Sequence, residues 1–274
     1  MLLLGYLLAA LIGISLGLIG GGGSILTVPI LVYVIGINPL LATSYSLFIV
    51  GSTSVVGAWN NYKKGLVQIR IALLFGVSSI TTVFISRKYL VPAIPNQILK
   101  VGNFVLTEAM LTMILFALLM LAASVAMIKD SNKKEDINTS GQQSSKKINL
   151  PKLLFYGIAI GLTTGLLGAG GGFLLIPTLV LLVGLPMKEA VGTSLFIIAL
   201  NSLIGFTGDL NHFKMDWAFL LKITAIAIGG IFIGGRLSTK IDAAKLKKAF
   251  GWFVMAMGIY IIIKEVFFPS VMMH

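Results

Sequence analysis

The sequence predicts an all-α integral membrane protein made of two internal repeats, each a glycine-broken helical hairpin followed by three spanning helices. Three observations predict it. The 274 residues are 57% hydrophobic and only 11% charged, with a mean hydropathy of +1.00, whereas soluble domains carry about 25% charge. The apolar residues form long continuous segments between short polar loops. That is the pattern of spanning helices, not the alternation of a membrane β-barrel. Finally, the run Gly20-Gly21-Gly22-Gly23-Ser24 recurs 148 residues later as Gly168-Ala169-Gly170-Gly171-Gly172.

Residues 1–128 form the predicted first repeat, in five apolar segments. Segment A covers about Leu2 to Leu18, B about Ile25 to Gly36 and C about Leu40 to Trp59. D covers about Ile69 to Ile85, and E about Ile98 to Ile128 as one long helix. Residues 129–151, with DSNKKEDINTSGQQSSKK, have no apolar face to bury and read as a solvated cytoplasmic linker. Residues 152–274 repeat the plan at a constant offset. Gly17 matches Gly165, Pro29 matches Pro177, Gly36 matches Gly184, and Ser46-Leu47-Phe48-Ile49 matches Ser194-Leu195-Phe196-Ile197. An offset that survives every loop marks a duplication rather than a shared composition.

Segment B has about 12 residues, or about 18 Å of helix, too short for a hydrocarbon core of about 30 Å. Either A and B are one long broken helix and the repeats are parallel, or A and B are a hairpin and the repeats are inverted. The basic residues favour the hairpin. It puts Lys63, Lys64 and Arg70, the linker lysines, and the group Arg236, Lys240, Lys245, Lys247 and Lys248 on one side, as positive-inside bias requires. Only Arg87, Lys88 and Lys100 are then misplaced, and both termini lie outside the cytoplasm. No Lys or Arg precedes Lys63, so the first segment lacks a basic signal-peptide region and is expected to be retained. The expected location is the bacterial inner membrane.

The net charge of +12 therefore points to loops on a lipid bilayer, not to nucleic acid. With no cysteine and only two histidines, thiol chemistry is excluded and no metal site or cofactor is expected. The spans hold no paired carboxylates, so no enzyme activity is expected either. The oligomeric state is open.

Irregular backbone at membrane depth must line a cavity or be covered by protein. Glycine permits sharp turns and close approach. Here each run opens a helix, expected to begin at Ile25 and Phe173, whose first N–H groups lack acceptors and carry partial positive charge. Two such ends meeting near the midplane would form an anion site. The candidate substrate-binding residues are Gly20, Gly21, Gly22, Gly23, Ser24, Ser46, Gly168, Gly170, Gly171, Gly172, Thr193 and Ser194, with Thr27 a further donor. The competing reading is close helix packing through small residues. It suits Gly13, Gly17, Gly161 and Gly165 better than four consecutive glycines.

Among the charges, Glu108 falls inside segment E and is the candidate for proton coupling, since a membrane carboxylate is a functional candidate by default. Arg87 and Arg236 close segment D in the two halves, one residue out of register. They are expected to anchor at the interface or to steer anions. Lys222 is expected to snorkel.

At GLIGGGGSILTVPIL and GLLGAGGGFLLIPTL, each followed by a segment containing SLF, the chain resembles the TauE/SafE sulfite exporter family. The second SLF segment, Ala190-Val191-Gly192-Thr193-Ser194-Leu195, looks typical of that family, and the first, Ala42-Thr43-Ser44-Tyr45-Ser46-Leu47, departs from it. The resemblance implies secondary transport of a small sulfur oxyanion or organosulfonate such as sulfite or thiosulfate. No P-loop is present to couple ATP. A passive anion channel and a non-transporting membrane scaffold are the alternatives.

Overall fold

The computed structural model describes residues 2–95, 97–101, 104–131, 150–168, 170–210, 212–238 and 243–267. Most of the linker lies outside the described residues. In the first half, α1 (Leu2–Ile19) runs into a 3₁₀ segment (Gly20–Leu26), α2 (Thr27–Pro29) and a π-helical turn (Ile30–Val34). Then come α3 (Pro39–Lys63), α4 (Ile69–Ile85), a second π-turn (Ser86–Leu90) and α5 (Val91–Ala93). The half closes with β1 (Gln97–Val101), β2 (Phe104–Thr107) and α6 (Glu108–Ser131). The second half holds α7 (Leu150–Leu167), α8 (Gly172–Thr178) with a π-turn (Leu179–Val183), α9 (Met187–Asp209), α10 (Trp217–Leu237) and α11 (Ala243–Phe267).

Local chemistry sets the boundaries. The Asn38 side chain accepts from the Leu40 N–H at 3.0 Å, and Pro39 stands at the first helical position of α3, a cap that spares an orphan donor. Asp216 caps α10 in the same way through the Phe219 N–H. Among the described residues, five helices are long and apolar enough to cross a membrane: Pro39–Lys63, Ile69–Ala93, Glu108–Ala126, Met187–Asp209 and Trp217–Leu237.

Segments A and B form a hairpin. Gly5, near the start of α1, lies against Ile35, just past the π-turn, with a Cβ position 3.5 Å from the Ile35 side chain. A continuous helix would separate these residues by about 45 Å. The helix openings differ from the expected positions in opposite directions. The first half leaves α1 through a 3₁₀ turn at Gly20 and reaches α geometry only at Thr27. In the second half α8 starts at Gly172, one residue before Phe173.

Segment E is not one helix. Gln97–Val101 and Phe104–Thr107 pair antiparallel, and the helix begins at Glu108. Pro95 precedes this stretch, and Gly102-Asn103 is a sequence signal for a two-residue hairpin connection. The residues 148 positions later, Ala243 and Phe250-Gly251, carry no such signals, and α11 is already helical from Ala243.

Packing is reciprocal between the halves. Helix α1 lies on α10 and α7 on α4, while α3 pairs with α9 and α6 with α11. The first two pairs touch through small residues. A Cβ on Gly17 would stand 2.5 Å from the Ile231 carbonyl oxygen, and one on Gly161 would stand 2.6 Å from that of Ser79. Small-residue contacts of this kind suit helices in lipid, where apolar burial offers no drive to associate. Outward faces carry Val77, Phe155 and Trp252, whereas the polar groups of α3 and α9 point inward, including Thr43, Ser44, Ser46, Thr193, Ser194 and Asn201.

Candidate functional site

The glycine runs reverse the chain in buried positions. Gly20 and Gly168 sit at φ of 70° and 67°, a left-handed geometry that favours glycine. The reversal lays Gly23 on the last turns of α1, where a Cβ would stand 2.5 Å from the Leu16 nitrogen.

The two tips touch. A Cβ on Gly21 would be 2.6 Å from the Gly172 Cα, and one on Gly172 would collide with the Gly21 backbone. The contact is main chain on main chain, and any side chain must push the halves apart. Each tip also rests on a long helix of the other half. Gly20 meets Val191 of α9 and Gly168 meets Thr43 of α3, positions 148 residues apart. Gly22 lies within the same 3₁₀ segment.

The predicted hydroxyls divide into two groups. Ser24 donates to the Gly21 carbonyl at 2.8 Å and Ser194 to the Val191 carbonyl at 2.9 Å. The Thr193 hydroxyl accepts from the Gln68 N–H at 3.0 Å, tying the start of α4 to α9. Those three are engaged locally. Ser46 and Thr27, by contrast, are buried with no protein partner, and so are Ser54, Thr164 and Ser202. Thr164 and Ser202 flank Gly171 and Gly170 respectively. An unpaired buried polar atom costs about 1–3 kcal/mol, and two of these hydroxyls stand beside the second-half glycine turn. Ser79 donates to the Asn201 Oδ1 at 3.0 Å, leaving the Asn201 Nδ2 unpartnered.

Glu108 is buried, but at the first residue of α6 and not deep in a span. Arg87 corrects the interface-anchor expectation. It is 0% exposed, and its Nη1 donates to the Asp209 Oδ2 at 3.1 Å and to the Thr43 Oγ1 at 3.0 Å. Ser44 donates to the same Asp209 oxygen. The Arg87 Nε and Nη2 are buried without a partner. Arg236 is exposed. The one-residue register slip between the two arginines explains the difference, because one residue is about 100° around a helix.

Sequence reasoning passed over Asp209 because it ends a helix beside a polar loop, an ordinary place for a surface carboxylate. The signal available was its helix mate across the halves. Asp209 matches Asn61 and Ser44 matches Gly192, so the polar cluster exists on one side only.

Irregular backbone sheathed by apolar spans, with polar groups turned inward and aliphatic ones outward, is the architecture of a multi-pass membrane transporter. The chain belongs to the sulfite exporter TauE/SafE family, whose profile matches residues 5–261. A probable membrane transporter protein of Xylella fastidiosa (strain 9a5c) is 29% identical over 92% of this chain and 91% of its own length. The Bacillus subtilis probable membrane transporter protein YdhB is 27% identical over 87% of this chain and 91% of its own. A probable membrane transporter protein of Methanocaldococcus jannaschii is 38% identical over 40% of this chain and 44% of its own. No solved structure matches the chain.

Proposed function

We propose that the protein is a secondary transporter that moves a small sulfur-containing anion, such as sulfite, thiosulfate or an organosulfonate, across the bacterial inner membrane in company with protons. The observation that carries this reading is the contact of Gly21 with Gly172. Two chain reversals, one from each half, meet main chain on main chain, and hydroxyls that no protein group satisfies stand beside the second. Backbone N–H groups and hydroxyls are the donors a small oxyanion needs. The hairpin of α1 with the segment after the glycines supports an inverted repeat, with alternating access arising as one repeat rocks against the other around the tips.

The test is thiosulfate and sulfite flux into proteoliposomes of the purified full chain, with and without an imposed pH gradient. Saturable flux that follows the gradient is expected in the wild type. Gly21→Val and Gly172→Val should abolish it. Gly229→Ala, which adds a methyl group to open space, should leave it intact. Flux that persists in both tip variants would sink the glycine-site reading. Flux that is gradient-insensitive and does not saturate would establish a channel instead.

A further inference from the structure

We propose that the Nε–Nη2 edge of Arg87 is a binding site for one oxyanion group, and that Asp209 is the counter-charge this anion displaces when Asp209 takes a proton. The inference rests on the transport reading and assigns its proton to a residue other than Glu108.

Arg87 is enclosed on every side. Its backbone lies on α9, where a Cβ on Gly208 would stand 3.0 Å from the Arg87 Cβ, and its chain neighbour Ser86 lies on Gly165 of α7. Its Nη1 is held by Asp209 and Thr43. Thr43 in turn supports Gly168, so the arginine is one residue removed from the glycine tip of the second half. Asp209 engages Nη1 alone, which leaves Nε and Nη2 pointing together with no acceptor. That edge of a guanidinium is the one that takes a carboxylate, sulfonate or phosphate through two parallel N–H···O bonds. A pair built only for stability would use it.

Charge balance supplies the coupling. At rest the site holds one guanidinium and one carboxylate and is neutral. An anion entering alone would leave a net negative charge in a site closed to water. If Asp209 first gains a proton at its carboxylate, the guanidinium is released to the anion and the site is neutral again. One proton therefore enters with one negative charge bound: a monoanion such as hydrogen sulfite leaves the site neutral, a dianion such as thiosulfate leaves it one unit negative instead of two, and no other co-reactant is needed. Ser44 and the Arg87 Nη1 both address the same Asp209 oxygen, so protonation there loosens both holds together.

Two other titratable side chains adjoin this cluster. Lys88 follows Arg87, and His212 donates its backbone N–H to the Asp209 carbonyl at 2.9 Å. Together they line a cavity of about 270 Å³ with Phe84, Tyr89, Thr207 and Gly208. The cavity adjoins the ion pair through the chain neighbours of both partners. Thr43 and Ser44, from α3, carry no charge.

The test is binding of radiolabelled thiosulfate and of sulfite to the purified full chain at pH 5.5 and pH 8, with size-exclusion profiles to confirm folding. Wild-type affinity should rise toward low pH, by up to about tenfold per unit for one linked proton. Asp209→Asn should bind thiosulfate, which does not itself titrate in this range, as tightly at pH 8 as the wild type does at pH 5.5, and the pH dependence of thiosulfate binding should disappear. Arg87→Gln paired with Asp209→Asn keeps the site neutral and should bind neither anion at either pH. His212→Gln should keep the wild-type pH dependence, which separates Asp209 from the histidine next to the cavity. Wild-type affinity in the folded double variant would overturn the inference and leave transport standing. So would an unchanged pH slope in Asp209→Asn. A wild type that binds neither anion would overturn the transport reading and this inference with it.

Discussion

Arg87 and Asp209 are a buried pair whose separation should be costly. Removing either partner alone strands the other in a dry site at a cost of about 3–5 kcal/mol, whereas replacing both with apolar residues is often neutral or stabilising. Arg87→Met combined with Asp209→Leu should therefore melt no lower than the wild type in detergent while losing transport. A variant that is both stable and active would make the pair ornamental. Ser46→Ala and Ser202→Ala should leave melting within about 1 kcal/mol of the wild type, since neither hydroxyl has a protein partner to lose. Their flux should fall if the hydroxyls meet the anion. At this scale the sequence was only partly readable. The glycines and Ser46 announce themselves by recurrence, whereas Asp209 stands opposite an uncharged residue, Asn61, in the first half, so a comparison built on likeness passes over it. The arginine was visible, but the meaning of its one-residue offset depends on which side of the π-turn after α4 is buried.

The same division holds for the elements. Gly13, Gly17, Gly161 and Gly165 lie on helix faces that meet backbone, as small-residue spacing suggests. Gly13→Leu should wedge α1 from α10 and cost about 1–3 kcal/mol, read as a lower melting temperature. The matching change at Gly229, which faces open space, should cost far less. The hairpin of α1 with the segment after the glycines was foreshadowed by segment length and by the distribution of lysine and arginine. The break ahead of α6 was not. Hydropathy is continuous from Ile98 to Ile128 and outweighs the sequence signals of Pro95 and Gly102-Asn103, while Gln97–Val101 and Phe104–Thr107 pair antiparallel. Hydropathy reports burial, and a strand in apolar surroundings looks the same as a helix by that measure. The boundary decides the placing of Glu108. At a helix start rather than mid-span, it should tolerate Glu108→Gln with the pH dependence of flux preserved.

At the scale of the whole molecule, inverted repeats make a topological prediction. Lys64 and Lys214 lie in loops that follow α3 and α9, helices 148 residues apart, and both are exposed. Because the chain has no native cysteine, Lys64→Cys and Lys214→Cys can be labelled one at a time without background. A membrane-impermeant maleimide applied to intact cells should reach Lys214→Cys and spare Lys64→Cys until the membrane is opened. Labelling of both from one side would require parallel repeats. The reciprocal packing of α1 on α10 and α7 on α4 was not predicted, because periodicity and offset identify equivalent helices without saying which ones touch. The replacement of Thr43-Ser44 by Val191-Gly192 across the halves has a consequence of its own. Two separate, identical subunits would have to bury this ion pair twice, with two desolvation penalties, or not at all. Joining the halves in one polypeptide allows the odd number, so covalent fusion is what makes a single buried ion pair between reciprocally packed halves attainable.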